Sequence, residues 1–366
     1  LYQVVKEVYD EWGRPENVYV DFTGGTKSMA AGCALAGSAI NAKFIYVGSD
    51  FLPDLRKPEP GSERIANIEN PYEVFGDIEG ERAILLFNKM DYAYSGEVFH
   101  SLSKKIPGIN DYQALYFLSK AYENWDALNF NQACDCMTKC CEIIRRLAAY
   151  KPAAVSSLKR MERQLSIVTE LKEVHSNNKD KKKIFSNIGL IIMNIYSNAL
   201  RKEKKQMYEM SSLLLYRILE MMEQKRLWDR GIDTESADYS KLEMDESVLL
   251  AKVNSIRERI NGFSRLNALD RKISLVSGFT ILAALDDELI KRDKRDDAAG
   301  RLTSLIKKVE LRNKSIFAHG FEFISKAGYQ QFKAEADEYM DRFFRLEGTD
   351  SEGLLKDMEF IEIDAR

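Results

Sequence analysis

The chain has 366 residues, 45% of them hydrophobic and 30% charged, which excludes a disordered protein and predicts two or three folded domains. With 54 Lys+Arg against 57 Asp+Glu the formal net charge is −3, so no global basic field advertises nucleic acid and any such site is local. No apolar run reaches the ~18–20 residues that span a bilayer, and no signal-like segment opens the chain, which points to a cytoplasmic protein with no membrane partner.

Residues 1–50 alternate between helical and extended patterns. "LYQVVKEVYDEWG" has helical apolar spacing and stops at Gly13, "NVYVDFT" reads as a short strand, "TKSMAAGCALAGSAINA" as a small-residue helix, and "KFIYVGSD" as a buried strand. Strand, tight loop, helix, strand is the grammar of a parallel sheet covered by helices. Two strands do not make a stable sheet alone, so further residues of this domain are expected to precede Leu1. Proline and glycine then gather in "FLPDLRKPEPGSERI", read as a loop.

From about Pro71 onward the pattern is helical. Residues 111–150 read as two helices joined near Asn129, followed by helices around 152–175, 181–203, 206–229, 243–261, 271–291, 296–318 and 325–346. No repeat recurs at a fixed period, which excludes a solenoid, and Gly231 marks a helix stop. The fold class is therefore α/β plus all-α.

Four of the five cysteines crowd into "CDCMTKCC" (Cys134, Cys136, Cys140, Cys141). No histidine lies nearby and the segment is helical, so they read as small half-buried thiols and no metal site is assigned. The clusters "KDKKK" (179–183) and "RKEKK" (201–205) hold eight cations and two acids, a local net of +6, and read as solvated helix ends before a phosphate-binding surface. "DDE" (Asp286–Glu288) and "RDD" (295–297) are read as wet helix ends.

The loop in "DFTGGTKS" resembles a nucleotide-phosphate loop at first sight. A P-loop needs glycine directly before its lysine, yet Thr26 precedes Lys27, and the dinucleotide spacing also fails. That disfavours an ATP- or GTP-dependent enzyme. The parts still suit an anion: Gly24 and Gly25 admit a ligand close to the backbone, the following helix offers free N–H groups, Thr23, Thr26 and Ser28 add hydroxyls, and Lys27 adds charge.

A second constellation lies in "VELRNKSIFAHGFEF" (309–323). On a helix running to Gly320, Arg312 and His319 fall within ~20° of one azimuth and ~10 Å apart along the axis, with Asn313 at the border. A neutral-pH imidazole beside a permanent guanidinium suits metal-free RNA cleavage, in which a ribose 2′-hydroxyl attacks the adjacent phosphorus. One such pair on an open helix is incomplete, so this chemistry implies a homodimer. The same spacing fits a helix end whose histidine answers the dipole and whose arginine makes a salt bridge.

Taken together, these segments resemble the CRISPR-associated CARF–HEPN ribonucleases, the stand-alone effectors of type III systems. "DFTGGTKSMAAG" is similar to the CARF segment D-x-T-G-G-T-K-x-M, and "GSERIANIENPYEVF" (61–75) to the stretch after it. "WDALNFNQA" (125–133) resembles a segment of the connecting helices, "SSLLLYRILEMMEQKRLWDRGIDT" the first long HEPN helix, and "RNKSIFAHGF" the catalytic R-N-x-x-x-x-x-H segment. The matches keep the family's order, although "SSLLLYR" lacks the usual acidic and alanine positions and the opening CARF strand has no counterpart.

The resemblance implies a partial Rossmann-like CARF sheet (1–75), a helical connector (76–180) and an all-helical HEPN domain (181–366). It further implies a homodimer that binds cyclic tetra- or hexa-adenylate as activator and cuts single-stranded RNA without metal or other cofactor. Thr23, Gly24, Gly25, Thr26, Lys27 and Ser28 would bind the messenger, and Arg312, Asn313 and His319 would form the nuclease site. Some CARF domains also slowly cleave their messenger. The rival expectation is a catalytically silent nucleotide-sensing dimer whose HEPN part only binds RNA or dimerises.

Overall fold

The computed structural model describes residues 2–68, 70, 77–106, 110–148, 154–290, 297–317 and 320–364. The chain divides into two compact units, one of residues 1–161 with 361–366 and one of residues 162–360. Among the described residues no helix is long and apolar enough to cross a membrane.

The first unit opens with helix α1 (Tyr2–Glu11), strand β1 (Tyr19–Asp21), helix α2 (Lys27–Ala39) and strand β2 (Lys43–Gly48). β1 and β2 pair in parallel, Val20 opposite Phe44, with α2 as the crossover. Close packing of α2 on the sheet depends on its small residues: a Cβ at Gly37 would stand 2.6 Å from the Phe44 ring and 3.1 Å from Val20.

The stretch read as a loop carries strands instead. Phe51–Leu52 (β3) and Lys57–Pro58 (β4) form a small antiparallel ribbon, and Arg64–Ile68 (β5) pairs antiparallel with β2, so the sheet order is β1-β2-β5. Pro and Gly set the turns here without preventing short strands between them, and β5 has no alternating buried face to announce it.

Four helices follow: α3 (Asp77–Asn88), α4 (Tyr92–Lys105), α5 (Asn110–Asp126) and α6 (Phe130–Ala148), the last three each packed on the helix before it. Phe87, Tyr92 and Tyr122 form an aromatic cluster with ring centroids 5.1–5.8 Å apart. The C-terminal segment closes this unit: Ile361 N–H donates to the Tyr122 hydroxyl (3.0 Å), and the Asn88 side chain exchanges two hydrogen bonds with the Ile363 backbone. α6 buries Phe130, Ala133, Met137, Cys140 and Cys141 at helical spacing, and burial pushes the Cys140 thiol up out of the reactive range.

Helix α7 (Ala154–Ser176) leads into the second unit, which holds α8 (Lys181–Ser186), α9 (Ile188–Lys204), α10 (Tyr208–Trp228), α11 (Glu246–Arg257), α12 (Leu275–Ala284), α13 (Ala298–Asn313), α14 (Lys326–Glu347) and α15 (Ser351–Met358). The single helix expected over 181–203 breaks at Asn187, whose side chain turns back to the Lys183 carbonyl. Gly231, at φ +80°, ends the α10 turn as expected. α10 is the hub, packing against α9, α12, α13 and α14. α12 buries eight of its residues, from Leu275 to Ala284, so it runs through the core.

Two charged segments differ from the surface reading. Asp287 is 0% exposed and receives bidentate Arg226 (3.1 and 3.0 Å) and Arg230 (3.1 and 2.8 Å), so the middle acid of "DDE" is a core lock, while its neighbours Asp286 and Glu288 are exposed as the surface reading expects. Of the two basic runs, Lys181 is held by Asp233 and Glu235, and Arg201 is buried against the Phe360 ring at 4.0 Å. The spacing of these charges is that of surface residues; their partners come from 52 to 159 positions away in the chain.

Candidate functional site

In the first unit the loop after β1 is shaped by Thr23. Its backbone N–H and its hydroxyl both donate to Asp21 Oδ1 (2.9 and 2.6 Å), and its hydroxyl accepts from Val47 N–H (2.7 Å). These two donors hold the Asp21 carboxyl below its ordinary value. The Thr23 hydroxyl thus ties the loop to β2, a scaffolding role where the sequence suggested a ligand donor. Thr26 caps α2, accepting from Met29 N–H (3.4 Å), and its Oγ1 lies 3.0 Å from Ser28 Oγ.

Gly25 sits at φ +97°, a conformation that demands glycine, and open space surrounds Gly24 where a Cβ would stand. Lys27 is the first residue of α2 and is exposed, as is every residue from Thr23 to Met29. What results is a solvent-facing turn: glycine backbone, the positive end of a helix, one lysine and one serine hydroxyl. It can hold an anion.

In the second unit α13 ends at Asn313, and the chain turns at Lys314. The expected helix to Gly320 is therefore seven residues too long, and the helical face expected to carry Arg312 stops at Asn313. The reason is a closed loop. Ile316 N–H donates to the Glu322 carbonyl (3.1 Å), Glu322 N–H donates to the Lys314 carbonyl (3.0 Å), and Gly320 N–H donates to the Ser315 carbonyl (3.2 Å). Backbone packing is tight enough that a Cβ at Gly320 would stand 2.0 Å from the Lys314 carbonyl oxygen. His319 lies outside the described residues, as does Ala318.

Arg312 is half-buried in the last turn of α13. Its Nη1 donates to Asn313 Oδ1 (3.1 Å), and its guanidinium lies over the Tyr216 ring of α10, 4.1 Å from the centroid. Its Nε is buried without a hydrogen-bond partner. Burial, reinforced by Glu220, raises the Tyr216 hydroxyl above its usual value, so the ring stays neutral. At the far side of the loop, Glu209 of α10 accepts from Ile324 N–H and anchors the returning chain. Tyr216 and Glu209 were not foreseen. They sit seven residues apart on one α10 face, but their partners lie about a hundred positions downstream and left no local signal.

Residues 180–343 match the family model described as the Csm6 HEPN domain, and residues 75–168 match that of the Csm6 6H domain. The chain belongs to the CRISPR-associated CARF–HEPN ribonuclease family. A curated relative, the CRISPR system endoribonuclease Csm6 of Thermus thermophilus, is 25% identical over 338 residues, covering 88% of this chain and 68% of that protein. In this CARF–HEPN chain the HEPN match contains Arg312, Asn313 and Tyr216, whereas the loop at 23–28 precedes both matched segments. Among the described residues no three His, Cys, Asp or Glu side chains converge as a metal site.

Proposed function

We propose that this CARF–HEPN chain is a homodimeric endoribonuclease of the cytoplasm that cuts single-stranded RNA without metal and is switched on by a cyclic oligoadenylate in type III CRISPR defence. The observation that carries the reading is Arg312: a guanidinium held at a helix end, inside the segment that matches the HEPN domain, with no carboxylate among the described residues to neutralise it. By residue the proposal divides the chain into CARF (1–75), connector (76–180) and HEPN (181–366).

In the proposed mechanism His319 moves the proton of the ribose 2′-hydroxyl as that oxygen attacks phosphorus, the bond from phosphorus to the 5′-oxygen breaks, and the leaving oxygen takes up a proton to become a 5′-hydroxyl. Arg312 stabilises the charge that develops on the phosphorane oxygens, and Asn313 orients Arg312 through its Oδ1. Two copies of the Arg312–His319 segment from a two-fold pair line one cleft. The exposed apolar side chains beside the segment (Leu311, Ile316, Phe317, Phe321 and Phe323) suit burial in that pairing, Phe321 being 91% exposed in the single chain.

The proposed sensor is the loop at 23–28. Gly24 and Gly25 let a phosphodiester approach the backbone, Thr26 fixes the start of α2, Lys27 and Ser28 meet the anion, and Thr23 holds the loop on β2. The test is the chemistry of the products. With cyclic tetra- or hexa-adenylate and EDTA present, transesterification leaves 2′,3′-cyclic phosphate and 5′-hydroxyl ends. Products carrying 5′-phosphates would overturn the mechanism, and RNA left intact under every activator would favour the silent sensor.

A further inference from the structure

Arg312 has few restraints for a residue given so exacting a task. Its Nη1 rests on its neighbour Asn313 at 3.1 Å, its Nε is buried with no partner, and no acid among the described residues lies within ion-pair distance. The remaining restraint comes from another helix: the Tyr216 ring, 4.1 Å below the guanidinium. α10 carries an acid one turn further on, Glu220, yet that carboxylate pairs with Arg217 at 3.0 Å. The distinction matters chemically. A carboxylate that held Arg312 would also neutralise it and weaken its pull on a developing phosphorane charge. An aromatic face fixes the plane of the guanidinium and leaves its full charge available.

We propose that Tyr216 is a positioning residue for Arg312, a neutral platform whose ring sets the plane of the guanidinium that meets the scissile phosphate. This rests on Arg312 serving in RNA cleavage. The ring does the positioning and the hydroxyl does not, so phenylalanine substitutes and an aliphatic side chain fails. Because Tyr216 acts through Arg312, its removal lowers turnover more than substrate binding, and it has no further effect once Arg312 is gone.

The experiment measures kcat and KM on a labelled single-stranded RNA, with the full-length chain saturated by cyclic tetra-adenylate. The variants are Tyr216→Leu, Tyr216→Met, Tyr216→Phe, Arg312→Ala and the Tyr216→Leu/Arg312→Ala pair, each checked for folding by thermal melting. The expected result is kcat about 10–100-fold lower for Leu and Met with KM within about threefold, at least about a third of the wild-type kcat for Phe, and a double variant no slower than Arg312→Ala. Three results overturn the positioning role: Leu and Met both near wild type, Phe as slow as Leu, or effects that multiply in the double variant as a merely structural residue's would. If Arg312→Ala itself cuts normally, the assignment of the nuclease site fails instead, a result separable from the other three.

Discussion

Glu223 illustrates a residue whose environment overrides its chemistry. It is 2% exposed on α10, its Oε1 has no hydrogen-bond partner, and burial pushes its carboxyl up to about 9. Between about 4.5 and about 9 the unfolded chain releases this proton while the folded chain keeps it, so the group's contribution to stability falls as pH rises. Glu223→Gln removes that slope. In urea denaturation the variant is expected to gain about 1–3 kcal/mol at pH 8 and close to nothing at pH 5. An equal loss at both values would mean that the carboxyl has a partner in the fold. In the sequence Glu223 is the second of two acids in "EMMEQ", and the cause of its burial is Gly278 on α12, whose position leaves no room for a Cβ beside the carboxyl. That pairing spans 55 residues and is invisible to local pattern. The reverse held for Gly231, whose turn depends only on neighbours and was legible.

At the scale of elements, the end of α13 decides what the catalytic segment looks like. The run "VELRNKSIF" keeps helical apolar spacing through Ile316 and Phe317, which is why the sequence predicts a helix to Gly320. Those side chains face solvent in the single chain, and the backbone closes a loop in which Gly320 nearly touches Lys314. Gly320→Ala is therefore expected to open that loop, with RNA cleavage falling by about 100-fold or more and the melting temperature shifting by less than about 4 °C. Unchanged cleavage would show that the loop's shape does not matter to the chemistry. Helices over 77–105, the helix at 351–358 and the strand β5 also went unread: the helix at 351–358 has only eight residues, and β5, exposed along its whole length, is defined by its pairing with β2.

At the scale of the whole molecule, the α/β start and all-α remainder were readable because parallel-strand grammar and long helical periodicity are local signals. Partnering was not readable: the Asp287 lock and the Tyr216–Arg312 stack join α10 to residues about 60 and 100 positions away. The two proposed sites lie in different compact units, which predicts separable defects. Lys27→Ala is expected to raise the cyclic tetra-adenylate concentration for half-activation about tenfold or more while the plateau rate stays within about twofold, as read from an activator titration of RNA cleavage. A lowered plateau with an unshifted midpoint would place Lys27 outside the sensor. The central claim is that Arg312 and His319 perform activator-dependent RNA cleavage without metal. The most direct test is the rate of single-stranded RNA cleavage in EDTA, with and without cyclic tetra- or hexa-adenylate, for the wild-type chain, Arg312→Ala and His319→Ala. The account predicts cleavage by the wild type only with activator and a loss of about 1,000-fold or more in either variant; wild-type rates in His319→Ala would contradict it.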